Sequence, residues 1–114
     1  MTRVYKLLTR HDWMAAEAKG VFEGSAVDQA DGFIHFSTAA QATETGRKYF
    51  SNVPALVIVG FDDESLGEGL KWEASRGGDL FPHLYGSLPT ALAVEVQDVA
   101  LDEAGVPVLE GLKA

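Results

Sequence analysis

The stretch from Ala55 to Phe61, ALVIVGF, constrains this chain more than any other. It follows Pro54, is dominated by apolar and β-branched side chains, and ends at the acidic turn Asp62-Asp63-Glu64. A run of this kind reads as a buried strand, and it is far shorter than the roughly 20 residues a membrane helix needs. A buried strand requires a core around it. With 114 residues, 46% of them apolar, the chain has enough for one domain, 1–114, without metal or disulfide staples. It contains no cysteine, so disulfides, thiolate metal sites and a cysteine nucleophile are excluded.

The remaining signals place helices early and strands late. Val4 to Leu8 reads as a strand. Thr9 is set to N-cap a helix from Arg10 to Lys19, with Asp12 at its third position and Gly20 as the stop. Ser25 to Asp28 suits a short helical turn. Phe33 to Phe36 has apolar residues on both faces, which predicts a central strand. Thr38-Ala39-Ala40-Gln41 is a capping box opening a helix to about Phe50. Beyond the buried strand come a polar loop, Asp62 to Gly69, a short strand, Leu70 to Ala74, and a turn at Arg76-Gly77-Gly78-Asp79. Phe81 to Gly86 reads as a stiff aromatic loop. Ala91 to Val96 is a further strand, extended by Val99 to Leu101, and Asp102 to Gly105 turns into a last one near Val106 to Leu109. Unlike a repeated βαβ winding, this order gives an α+β fold.

Charge narrows the partners. Seventeen acids against 9 bases give a net charge of −8, the wrong sign for neutralising an extended nucleic-acid backbone. The N-terminal MTRVYKLLTR has no apolar run of signal-peptide length. These features predict a cytoplasmic protein that binds neither a membrane nor long nucleic acids, and leave a small-molecule ligand as the expected partner.

Two segments concentrate the side chains that do chemistry, DGFIHFST (31–38) and FPHLYG (81–86). On a strand, Phe33, His35 and Ser37 share one face. An imidazole and a hydroxyl two residues apart, just before a helix N-terminus, converge on one ligand, and Thr38 with its free helical N–H groups favours an anion. The plainer alternative is a His satisfied by a backbone carbonyl, with Ser37 or Thr38 capping the helix. In the second segment, Phe81 and Tyr85 offer faces for stacking on a base, and His83 can donate, accept or bind metal. Trp72-Glu73, just upstream, offers another aromatic and either an acid that partial burial would raise in pKa or, equally, a surface residue on an edge strand. His35, His83 and Glu73 also compose a two-His, one-carboxylate set, the basis of a metal-dependent hydrolase reading, though HExxH spacing is absent. Gly-x-Ser-x-Gly and GxGxxG are absent too.

DGFIHFST, a helix, an apolar strand, then LKWE and FPHLYG in that order resemble a small bacterial family, domain of unknown function 952. The resemblance runs from VYKLL to AVEVQ. It implies an ADP-ribosyltransferase-like fold, a split and curved β-structure with helices packed against it. Within that class HFS, helix, PALVIVGF and LKWE are most similar to the RNA 2′-phosphotransferases, whose chemistry joins NAD to a phosphate. By that resemblance NAD, ADP-ribose or a related nucleotide is the expected ligand, with NAD the suspected cofactor. His35, Glu73 and His83 become candidate catalytic residues, and Ser37, Thr38, Trp72, Phe81 and Tyr85 candidate binding residues. His35 and Ser37 would sit in the NAD-type cleft with His83 and Tyr85 on its opposite wall. Two departures stand out. Arg3, Arg10, Arg47 and Arg76 all lie outside the motifs, and neither Glu73 nor Glu95 matches the late-strand glutamate of the toxin-like enzymes. A non-catalytic small-ligand or protein-binding module is therefore the alternative.

Overall fold

The computed structural model describes residues 2–114, apart from the side chain of Arg76. It is an α+β structure whose paired strands are all antiparallel among the described residues. In chain order the elements are β1 (Arg3–Thr9), α1 (Arg10–Lys19), β2 (Val21–Phe22), α2 (Ala26–Asp31), β3 (Ile34–His35), β4 (Ser37–Thr38) and α3 (Ala39–Tyr49). They continue with β5 (Leu56–Asp62), β6 (Leu70–Ala74), β7 (Leu80–Leu84), β8 (Leu88–Pro89) and β9 (Ala93–Val99). The main sheet runs β4-β1-β5-β9, a second runs β3-β7-β6, and β2 pairs with β8. No helix among the described residues is long and apolar enough to cross a membrane.

β5 is the buried strand that its sequence requires. It pairs with β1 along seven positions, from Arg3 opposite Asp62 to Thr9 opposite Leu56. The two strands divide the interior. Val4, Leu8, Val57, Val59 and Phe61 face one cluster with Trp13, Phe36, Leu84 and Leu88. Tyr5, Leu7, Leu56 and Ile58 face a second, closed by Ala42 of α3 and by Leu101, Leu109 and Leu112 of the C-terminal segment. Lys6 lies between Val4 and Leu8 on the first of these faces, because strand side chains alternate.

Local capping sets the helices. Thr9 accepts a hydrogen bond from Asp12 N, and Gly20 closes α1 in the left-handed region with φ 85°. Thr38 and Gln41 form the reciprocal capping box of α3, which ends at Tyr49 with Phe50 as its cap. Ser25 caps α2, longer than the single turn expected.

Three expectations need correction. Phe33 to Phe36 is not a central strand: Ile34–His35 and Ser37–Thr38 are edge strands of two different sheets, with Phe36 crossing between them. Its apolar faces are covered because the chain changes sheets there. Phe81 to Leu84 is not a loop but part of β7, the middle strand of the second sheet. A middle strand ordinarily excludes proline, which lacks the N–H. Pro82 is tolerated because β3 pairs only with His83 and Leu84; its carbonyl accepts from Phe36 N at 3.0 Å, so its missing N–H faces the side where β3 has ended. Finally, Val106 to Leu109 forms no strand, only a bridge between Leu101 and Pro107.

Candidate functional site

β4 covers only Val4 and Tyr5 of β1. Lys6 to Thr9 are left without a strand on that side, and a groove of about 720 Å³ opens along them. Asp28 and Asp31 of α2, Ala42 and Thr45 of α3, and His35, Ser37, Phe81 and His83 also line it. This volume lies within the usual range for small-ligand sites.

His35 and His83 are direct partners in the β3–β7 register. Their ring centroids are 5.6 Å apart, edge to face. Phe33 stacks on His83 at 4.1 Å and also touches His35 and Tyr85, at 4.6 and 5.3 Å. The two sequence motifs therefore meet, but side by side on one wall instead of across a cleft.

Each imidazole has its Nδ1 on a carboxylate. His35 Nδ1–H donates to Asp28 Oδ1 at 2.6 Å, and Asp28 is 2% exposed at its side chain. The same oxygen accepts from the His35 backbone N–H and from Lys6 Nζ, each at 3.0 Å. Asp28 Oδ2 accepts from Ser25 N and Oγ and lies 2.9 Å from Lys6 Nζ. Room for this side chain depends on Gly24 (φ 103°), where an added Cβ would come within 2.9 Å of Asp28 Cβ. Burial pushes the Asp28 carboxyl upward, but the hydrogen bond from His35 and the charge and hydrogen bond of Lys6 outweigh it. The group is held well below the usual carboxylate range. Burial lowers the Lys6 ammonium, against the pull of Asp28. At its outer end, His35 Nε2 is 2.9 Å from Asp31 Oδ2.

His83 is the inverse. Its side chain is 7% exposed, while that of its partner Glu73 is 41% exposed. Glu73 Oε1 accepts from His83 Nδ1 and from the Tyr85 hydroxyl, both at 2.8 Å. These two hydrogen bonds lower the Glu73 carboxyl, so the expectation of a raised acid beside Trp72 is overturned. The bond to Glu73 in turn raises the Tyr85 phenol. His83 Nε2 has no hydrogen-bond partner among the described residues.

The other candidates divide. Ser37 is buried in the groove wall, and its hydroxyl is 2.9 Å from Thr45 Oγ1. Phe81 lines the groove beside it. Thr38 is engaged in the α3 cap, accepting from Gln41 N and donating its own N–H to Gln41 Oε1, so its hydroxyl is not offered to the groove. Trp72 is opposite Pro82 in the β6–β7 register, one residue out of phase with Glu73 and His83. It therefore projects from the other face of the sheet. Among the described residues no three His, Asp or Glu side chains are grouped to hold a metal ion. Arg3 pairs with Glu95, Arg10 with Asp98 and Arg47 with Glu44. The Arg76 side chain lies outside the described residues. Glu95 is bound to Arg3 and Tyr5 and does not line the groove.

Sequence reasoning missed Asp28, Asp31 and the reach of Lys6. One signal was available: a lysine at the middle of an apolar strand, two residues from Val4 and two from Leu8, must find a counter-charge or remain an uncompensated buried cation.

Residues 7–96 match the family model described as protein of unknown function, DUF952. Among solved structures, the crystal structure of protein CC0527 from Caulobacter crescentus is similar with a TM-score of 0.93 and 54% identity, covering 95% of each chain. The solution NMR structure of CC0527 gives a TM-score of 0.84 over 94% of this chain and 92% of that one, also at 54% identity. None of the curated proteins matches the chain.

Proposed function

From the premise that the chain belongs to the DUF952 family, we propose that its groove binds NAD, ADP-ribose or a related nucleotide. The observation that carries this reading is the direct pairing of His35 with His83 on one wall of a groove of about 720 Å³. The resemblance to ADP-ribosyltransferases supplies the ligand class, which is an argument by analogy.

In the transferase form of this reading, a ribose hydroxyl replaces Asp31 at His35 Nε2. Tyr85, exposed beside the groove and outside its lining, receives the base where the ligand extends past His83. Cleavage of the bond between ribose C1′ and nicotinamide leaves positive charge on the ribose, which Glu73 stabilises until the acceptor oxygen bonds to C1′ and loses its proton. Nicotinamide leaves with the bonding pair.

A second reading, a non-catalytic ligand-binding module, rests on a specific observation. The arginines whose side chains are described, Arg3, Arg10 and Arg47, are all paired with acids, and Lys6 is matched to Asp28. A pyrophosphate would meet no unpaired cation among them.

A thermal-shift series with NAD, ADP-ribose, AMP and nicotinamide tests the proposal. A ligand at about 100 times its dissociation constant stabilises by roughly 2.7 kcal/mol, on the order of 10 °C for a domain this size. The expected result is a shift with NAD or ADP-ribose that His35→Ala and His83→Ala abolish while circular dichroism shows intact folding. A flat series with the wild type overturns the nucleotide reading. Release of nicotinamide from NAD by pure protein excludes the non-catalytic one.

A further inference from the structure

We infer that Asp28, backed by Lys6, is a positioning residue that fixes the orientation of His35 and holds a proton on Nδ1, so that Nε2 is presented to the groove. This rests on the reading of the groove as a ligand site, but its evidence is separate. Asp28 Oδ1 accepts from both the backbone N–H and the ring Nδ1 of His35, at 3.0 and 2.6 Å. A carboxylate only accepts, so Nδ1 must carry a proton; by the same rule Nε2 carries one where it meets Asp31 Oδ2 at 2.9 Å, and Asp31, 49% exposed, is the partner a ligand would displace. Two-point attachment to one residue leaves χ1 and χ2 of His35 little freedom, and only Nε2 faces outward.

Helix capping does not explain the arrangement. Ser25 uses Oδ2 of Asp28, and a cap needs neither Oδ1 nor a buried lysine. Stability does not explain it either, since a buried ion pair is often no more stable than apolar side chains of the same volume. What the Lys6 charge does is keep Asp28 ionised at a position 2% exposed, and an ionised Asp28, which can only accept, admits no ring state without a proton on Nδ1. The charged and titratable groups around His35 are Asp28 and Asp31 from α2, Lys6 from β1 and His83 from β7, with Glu73 and Tyr85 behind His83. Of these, only Asp28 touches Nδ1.

The test pairs Lys6→Met with Asp28→Leu, which removes both buried charges together with the acceptor at His35 Nδ1. Ring-nitrogen NMR reads His35 directly, with exposed His11 as the internal reference. In the wild type His35 Nδ1 is expected to carry a far-downfield proton protected from exchange. In the folded double variant that proton signal is expected to disappear. ADP-ribose binding is expected to weaken about tenfold, the order of loss when a ligating histidine loses its carboxylate partner. A folded double variant that keeps the wild-type Nδ1 signal overturns the inference. Should the double variant not fold, Asp28→Glu keeps the charge beside Lys6 but moves the carboxylate by one methylene. An unchanged Nδ1 signal there overturns the inference equally. A wild type with the Nδ1 signal but no stabilisation by NAD or ADP-ribose supports the positioning role and overturns the nucleotide reading, since the ring signal is recorded without ligand.

Discussion

The two histidine corners of the groove use the same parts in opposite ways. At His35 the carboxylate is buried and the imidazole is 34% exposed; at His83 the imidazole is buried and the carboxylate faces solvent. Asp28 is held by Lys6, Ser25 and His35, from three separate elements. Glu73 has two partners, both on β7 or the residue just past it. The Asp28 corner thus ties β1, α2 and β3 together in a medium where charge is poorly screened, while the Glu73 corner is local and screened by water. Breaking the same Nδ1–carboxylate contact should therefore cost stability as well as ligand positioning in the first corner, and mainly chemistry in the second.

The largest effect expected from this contrast is that of Asp28→Ala. It strands the Lys6 ammonium in the core, and removing one member of a buried pair costs about 3–5 kcal/mol. Urea unfolding should show the loss as a lower midpoint with an unchanged slope. Replacing both members, Lys6→Met with Asp28→Leu, should recover part of it, leaving a deficit of about 2 kcal/mol from the bonds that Ser25 and His35 lose. A double variant no more stable than the single one would break the claim that charge burial dominates this corner.

Acid should separate the corners next. The folded-state carboxyl of Asp28 lies below its unfolded value of about 4, so on acidification the unfolded chain takes up the proton first. Its contribution is complete above about pH 4 and is lost as pH falls below that. The Lys6→Met and Asp28→Leu pair should flatten the acid limb of a stability-against-pH curve. Glu73 is lowered too, but it is exposed, and Glu73→Gln should leave that limb nearly unchanged.

His83→Ala comes third. It removes a buried ring stacked on Phe33 but leaves no stranded charge, for an expected cost of about 1–2 kcal/mol by thermal or urea unfolding. A loss as large as that of Asp28→Ala would mean that the stack holds β3 on β7 as strongly as the ion pair holds α2 on β1.

What the sequence showed and hid follows the same division between local and distant forces. The caps Thr9, Gly20 and Thr38 and the run Leu56 to Phe61 were legible because each signal lies within a few residues of its effect. β7 was not, since a strand containing Pro82 is admissible only where β3 ends after two residues, and that is a fact about another segment. β2 and β8, two residues each, are too short to show a period. His35 and His83 stood out by composition, and the family match confirmed the kinship their motifs suggested. Their register pairing, and the reach of Lys6 across 22 residues to Asp28, are tertiary contacts that no periodicity encodes.

Glu73→Gln should have the smallest effect on stability and the sharpest effect on interpretation. A glutamine Oε1 can still accept from His83 Nδ1–H and from the Tyr85 hydroxyl, so the geometry of this corner survives and only the charge is lost. Two readouts follow. The Tyr85 phenol, now raised by the carboxylate, should ionise at lower pH in the variant, seen as a shift in the difference between ultraviolet titrations of the two proteins. Under the transferase reading, nicotinamide release should fall by about a hundredfold while ADP-ribose affinity stays the same, because the charge acts only on the cationic ribose of the transition state. Loss of affinity with no change in turnover would instead assign Glu73 to ligand binding. A variant that matches the wild type in binding and turnover but shows the shifted phenol would confine the Glu73–Tyr85 bond to local electrostatics, and would leave the His35 corner as the part of the groove that recognises the ligand.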